Sequence, residues 1–146
     1  MEKLLSKTTQ ENSRVAKLIL QKLSLKNSNL ILLKAKMGSG KTTLVHEIAN
    51  QLNSINKVSS PTFVLEKIYN LNSNKLNFKN IHHIDLYRLS STEEVYDLNL
   101  FENLKNKNEL FIVEWPGKAI KIFKDYPKVI CKIIANQDES RLFYIS

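Results

Sequence analysis

Ala35-Lys-Met37-Gly38-Ser39-Gly40-Lys41-Thr42-Thr43 follows the apolar run Leu30-Ile-Leu-Leu33 and leads into a segment that reads as a helix over about Lys41–Leu52. A short continuous apolar run ending in a glycine-containing turn is the pattern of a strand buried on both faces of a parallel sheet. Strand, glycine turn and helix in that order form a phosphate cradle. A nucleotide's phosphates need several backbone N–H groups aimed into one concavity, a conformation that Gly38 and Gly40 permit without a Cβ clash. The helix N-terminus adds its dipole and unpaired amides. Lys41 is placed to reach the β- and γ-phosphates and Thr42 to give its hydroxyl to Mg²⁺. Met37, Ser39 and Thr43 complete the loop, so the ligands this stretch implies are ATP and Mg²⁺. The strict pattern Gly-x-x-x-x-Gly-Lys-[Ser/Thr] has glycine where Ala35 stands. Alanine is the smallest replacement and is tolerated where φ is negative.

A phosphate loop of this kind needs a carboxylate at the C-terminal end of a neighbouring strand. Two runs end in one: Phe111-Ile-Val-Glu114 and Ile81-His-His-Ile-Asp85. Glu114, with the cleaner apolar strand before it, is the favoured Mg²⁺-associated acid. Asp85 is then the second acid near the metal or the group that orients the attacking water, and the reverse order is also compatible with the sequence. Period-two alternation places His83 on the side of Asp85 and His82 on the other, both as packing or hydrogen-bonding groups. Ser59-Ser-Pro-Thr62 lies just after the helix that follows the loop, where Thr62 is able to meet magnesium or the γ-phosphate and Pro61 stiffens the segment. Trp115-Pro116 ends a strand with a packed indole, an aromatic beside the nucleotide being the alternative.

Outward from these motifs, Thr8-Thr-Gln-Glu11 has capping-box spacing before Val15, Leu18, Ile19 and Leu23, which predicts a helix over 8–23. Phe63–Tyr69 predicts a strand, Leu71–Asn80 an exposed turn, and the following residues a return strand ending near Tyr87. Ser91-Thr-Glu-Glu94 is a second capping box, opening a helix to about Leu104; Leu110–Trp115, Val129–Ala135 and Leu142–Ile145 read as strands. Strands alternating with helices predict an α/β fold of one domain over residues 1–146: a three-layer P-loop NTPase sandwich with a mainly parallel central sheet.

The 146 residues and their 42% apolar content fit one core. The apolar runs fall far short of the ~20 residues needed to cross a bilayer, so no membrane association is expected. The first residues turn polar at once, which predicts a cytoplasmic protein. Cys131, the one cysteine, sits in an apolar run and reads as a core thiol. The net charge of +8 comes from scattered lysines without arginine clusters, a biased surface composition that leaves room for weak contact with a polyanionic partner.

Taken in order, Met37-Gly-Ser-Gly-Lys-Thr-Thr43, Ser60-Pro-Thr-Phe63, His83-Ile-Asp-Leu-Tyr-Arg88 leading into Glu93-Glu94, and Val113-Glu-Trp-Pro116 resemble the TsaE (YjeE-like) family of small bacterial ATPases. Ala35 and Lys36 depart from the Gly-Asp usual at the start of that family's loop. The resemblance implies weak ATP hydrolysis coupled to the threonylcarbamoyl transferase proteins TsaB and TsaD, which modify adenosine 37 of tRNA (t6A). It also implies a nucleotide-responsive Thr62 and a need for Asp85 and Glu114 at the Mg-ATP site. Two other readings share the loop: a small-molecule P-loop kinase, for which the three arginines Arg14, Arg88 and Arg141 are few, and a nucleotide sensor without turnover.

Overall fold

Leu30, Ile31, Leu32 and Leu33 are wholly removed from solvent, and their side chains divide between two separate apolar clusters. Ile31 and Leu33 join the cluster under the first two helices, whereas Leu30 and Leu32 join the one on the opposite face. That division makes strand β2 (Leu30–Ala35) the central strand of a three-layer α/β sandwich. Each such leucine or isoleucine contributes roughly 1.5–3 kcal/mol of transfer free energy. The computed structural model describes residues 1–118 and 120–146.

The sheet has seven strands: β1 (Glu2–Ser6), β2, β3 (Glu66–Asn70), β4 (Asn80–Asp85), β5 (Glu109–Glu114), β6 (Val129–Ala135) and β7 (Arg141–Ile145). Their order across the sheet is β1-β7-β6-β2-β5-β4-β3. The four central strands, β6, β2, β5 and β4, pair in parallel. The pairings at both edges, β3 with β4, β6 with β7 and β7 with β1, are antiparallel. A mainly parallel sheet therefore describes the centre but not the margins, where β3–β4 and β6–β7 are hairpin-type connections and β1 joins the edge beside β7 from the other end of the chain.

On one face α1 (Thr9–Leu25) and α2 (Lys41–Gln51) pack together, burying Val15, Ala16, Ile19 and Leu23 of α1 against Leu44, Val45, Ile48 and Ala49 of α2. The capping box is complete: Glu11 N–H donates to the Thr8 hydroxyl and Thr8 N–H donates to the Glu11 carboxylate. The opposite face carries α3 (Thr92–Asp97), α4 (Leu100–Asn103) and a 3₁₀ turn at Pro116–Lys118. Ser91 caps α3 as its spacing predicts, but the single helix expected to Leu104 is broken at Asn99, which takes φ +51°. Asparagine enters the left-handed region at little cost, and the turn lets Leu100 and Leu104 reach the second core.

Three further boundaries differ from the sequence reading. Strand β1 was not anticipated. The strand expected from Phe63 begins at Glu66, after a turn that exposes Phe63 and Val64 and puts Leu65 at φ +67°. β4 and β5 stop at their acids, Asp85 and Glu114, rather than at Tyr87 and Trp115; Trp115 has φ +53°, which ends the strand. Cys131 is buried as expected, and burial pushes its thiol up to about 12, out of the range where it reacts. No described helix is long and apolar enough to cross a membrane.

Candidate functional site

β2, β5 and β4 end side by side at the N-terminus of α2, because parallel strands deliver their C-terminal ends to the same edge of the sheet. Leu33 pairs with Glu114, and Glu114 with Asp85, so both acids stand at the last register positions beside the phosphate loop. Alternation puts them on the α2 side, with Ile112 and Ile81, while Phe111 and Val113 face the other core.

Between β2 and α2 the chain turns through Gly38 at φ +74° and Gly40 at φ +93°, both in the left-handed region. A Cβ at Gly38 would meet nothing within 4 Å, so backbone conformation alone selects glycine there. At Gly40 a Cβ would also lie 2.7 Å from Arg141 Nε. Ala35, by contrast, ends β2 in regular pairing with Ile133 and is not among the positive-φ residues, which is why alanine serves in the place of the first loop glycine. Gly40 is the N-cap of α2, and the first turn has neither a side-chain cap nor an acidic residue. α1 and α3 have both. The unpaired N–H groups of α2 are thus left to an anion, which the helix dipole also favours.

Met37, Gly38, Gly40, Lys41, Thr42, Thr43, Thr62, Asp85 and Glu114 all line one cavity of about 290 Å³. Ser39 does not: it is buried, and its hydroxyl donates to the Lys36 carbonyl at 2.6 Å, tying the loop to itself. Lys41 is buried too. Its ammonium donates to the Lys36 carbonyl at 3.1 Å, lies 3.8 Å from Glu114 Oε2, and sits 5.2 Å from the Trp115 ring centroid. Thr62 donates its hydroxyl to Asp85 Oδ2 at 2.8 Å, and Tyr87 N–H donates to Asp85 Oδ1 at 2.9 Å. Glu114 Oε1 is 2.7 Å from His83 Nε2.

His83 is on the side of Asp85, as alternation predicts, and completely buried. His82, on the other, stacks on Phe111 at 4.6 Å and lies between Glu66 at 2.7 Å and Glu109 at 3.1 Å. Burial works against the His82 imidazolium, but the bonds to Glu66 and Glu109 outweigh it and hold its pKa above the ordinary histidine value.

Sequence reasoning missed Ser60, Tyr87 and Arg141, which also line the cavity. Arg141 opens β7, and its Nε donates to the Ser39 carbonyl at 3.2 Å across 102 positions of sequence. No local motif announces that contact; only the pairing of β7 beside β6 creates it.

The donors suit magnesium. Thr42, Asp85 and Glu114 supply hard oxygen, and Mg²⁺ typically takes one or two carboxylates with the remaining positions filled by water and phosphate oxygen. Among the described residues no group of three or more His, Cys, Asp or Glu could hold a metal by itself.

A family model described as "Threonylcarbamoyl adenosine biosynthesis protein TsaE" matches residues 6–143. A Rickettsia felis protein named "tRNA threonylcarbamoyladenosine biosynthesis protein TsaE" is 37% identical over 152 residues, covering 95% of this chain and 83% of that protein. A protein of the same name from Rickettsia conorii is 37% identical over 144 residues, covering 90% and 77%. In fold, the chain resembles the crystal structure of Bacillus subtilis YdiB with a TM-score of 0.56 at 21% identity, over 97% of this chain and 82% of that one. With a family model spanning nearly its whole length and relatives of this identity and coverage, the chain belongs to the TsaE family.

Proposed function

We propose that the protein binds Mg-ATP in the cavity between the phosphate loop and the ends of β4 and β5, and hydrolyses it weakly. We further propose that it does so with TsaD and TsaB in forming the threonylcarbamoyl modification of adenosine 37 in tRNA. The observation that carries this reading is the convergence, at one uncapped helix N-terminus, of Lys41, Thr42 and two strand-end carboxylates. The names of the relatives support the tRNA-modification role.

Lys41 binds the β- and γ-phosphates, exchanging its bond to the Lys36 carbonyl for phosphate oxygens. The amides at the start of α2, with Gly38 and Gly40, hold the remaining phosphate oxygens. Thr42 and Glu114 hold the magnesium; Glu114 is on the strand adjoining β2 and is the acid nearest Lys41. Asp85 orients the attacking water, and Thr62 holds that carboxylate at 2.8 Å until the nucleotide is in place. Magnesium, when bound, neutralises charge on the β- and γ-phosphates.

Phosphate release from ATP by the purified protein, alone and with TsaD, TsaB and tRNA, alongside Lys41→Ala, tests the reading. Turnover that rises with the partners and disappears in the variant is expected. Binding without turnover in the full mixture would make the protein a sensor, and failure to bind nucleotide would remove the reading altogether.

A further inference from the structure

Arg141 brings a second cation to the cavity that contains Lys41. It is the first residue of β7, where the antiparallel β6–β7 hairpin returns to the edge at which β2, β5 and β4 end. The tip of that hairpin is held by its own bonds: Asn136 N–H donates to the Ser140 carbonyl at 2.9 Å, and the Ser140 hydroxyl donates to Asp138 at 2.6 Å. Glu139 takes φ +63°, a left-handed conformation unfavourable for glutamate, and Arg141 Nη1 donates to its carbonyl at 3.1 Å. With Nε on the Ser39 carbonyl, the guanidinium is fixed between the hairpin tip and the phosphate loop. Both partners are neutral carbonyls, and among the described residues no carboxylate pairs with Arg141, whereas Lys41 lies 3.8 Å from Glu114. A guanidinium has five N–H donors, so these two bonds leave three for a ligand.

We propose that Arg141 binds the α-phosphate of the nucleotide, an inference that rests on the Mg-ATP reading above. Its place in the sheet decides which phosphate it meets. In the strand order β7-β6-β2-β5-β4 the phosphate loop follows β2; Glu114 and Asp85 end strands on one side of it, and Arg141 opens a strand on the other. The two acids take the magnesium and with it the β- and γ-phosphates, which leaves the opposite end of the phosphate chain to the guanidinium. Its seat against Gly40 agrees, because the guanidinium fills the space that a side chain there would occupy. A planar fork held in advance matches two oxygens of one phosphate and loses little freedom on binding. The α-phosphate is common to ATP and ADP and lies away from the bond that breaks. Arg141 therefore strengthens the binding of both nucleotides alike.

Calorimetric titration of ATP, ADP and inorganic pyrophosphate, each with Mg²⁺, into the native protein, Arg141→Met and Arg141→Lys tests the proposal. Pyrophosphate has no α-phosphate and needs only the half of the cavity served by Lys41, Thr42 and the two acids. In Arg141→Met, ATP and ADP are expected to bind about ten- to a hundredfold more weakly, to the same degree, and pyrophosphate within about twofold of native. Arg141→Lys keeps the charge without the fork; it is expected to show a smaller loss for both nucleotides and none for pyrophosphate, and serves if Arg141→Met does not fold. Equal loss of all three ligands overturns the proposal, since that is the mark of a residue that merely shapes the loop. Unchanged nucleotide affinity overturns it as well, and so does a loss for ATP but not ADP, which belongs to a γ-phosphate contact; each of these leaves the Mg-ATP reading intact. A native protein that binds no ATP removes the reading and the inference with it.

Discussion

Gly38 and Gly40 offer a matched pair for separating backbone strain from crowding in the phosphate loop. Alanine at a left-handed position costs roughly 1–2 kcal/mol, and Gly38→Ala meets no neighbour within 4 Å, so its cost should stay in that range. Gly40→Ala carries the same backbone cost. In addition its Cβ would stand 2.7 Å from Arg141 Nε and 3.2 Å from Arg141 Cδ, which forces the guanidinium off the Ser39 carbonyl or strains the loop. The atoms met belong to a flexible arginine side chain that can swing aside, so the added cost is that of its bond to the Ser39 carbonyl, about 0.5–1.5 kcal/mol. At about 2–4 °C per kcal/mol for a chain of this size, Gly40→Ala should melt about 1–6 °C below Gly38→Ala. Urea unfolding and thermal melts of Gly38→Ala, Gly40→Ala, Arg141→Ala and the Gly40→Ala/Arg141→Ala double variant make the comparison complete. The double variant should recover the crowding component and leave only the backbone one. If Gly40→Ala is no less stable than Gly38→Ala, or removal of Arg141 relieves nothing, the reasoning that Arg141 occupies the space left by Gly40 is wrong.

His82 gains two carboxylate partners on folding, so its pKa is raised; the stability it contributes is fully present below the unfolded value of about 6.5 and is lost as pH rises through the folded value. The stability difference between the native protein and His82→Gln, from urea midpoints, should therefore be larger at pH 6 than at pH 8; a pH-independent difference would contradict it. Asn29 is buried and its amide donates to the carbonyls of Leu104, Asn106 and Glu109, while its oxygen accepts from the Tyr126 hydroxyl. Asn29→Leu strands those partners and should cost about 2–4 kcal/mol in chemical denaturation without altering the m-value.

What was legible in the sequence is what local chemistry writes. Thr8 with Glu11, and Ser91 with Glu94, mark helix starts because the cap is made within one turn. Leu30–Leu33 marks the central strand because burial on both faces leaves no place for a polar residue. Gly38 and Gly40 mark the turn before α2 because a positive φ favours glycine, and with Lys41 and Thr42 they line the cavity. The five-residue strand Glu2–Ser6 was not legible, since three of its residues are exposed and its register exists only against β7. Asn99 gives no warning of a helix break, because asparagine occupies helical and left-handed conformations alike. The bond from His83 to Glu114 and that from Arg141 to Ser39 depend on which strands lie side by side, a property no window of sequence contains.

The placement of β2 also bears on how the protein comes to be folded. Its two neighbours, β5 and β6, follow it in the chain only after β3, β4, α3 and α4, and Arg141 must return across 102 positions to meet the phosphate loop. Such distant pairings carry a large loop-closure entropy and slow the search for the native topology. The glycine turn and the start of α2 are local and can form early, but the acids that complete the cavity join them only when the central parallel strands have assembled. During refolding, assembly of the cavity would therefore lag behind recovery of helix, and a chain stalled before β5 docks would hold the glycine loop without either carboxylate.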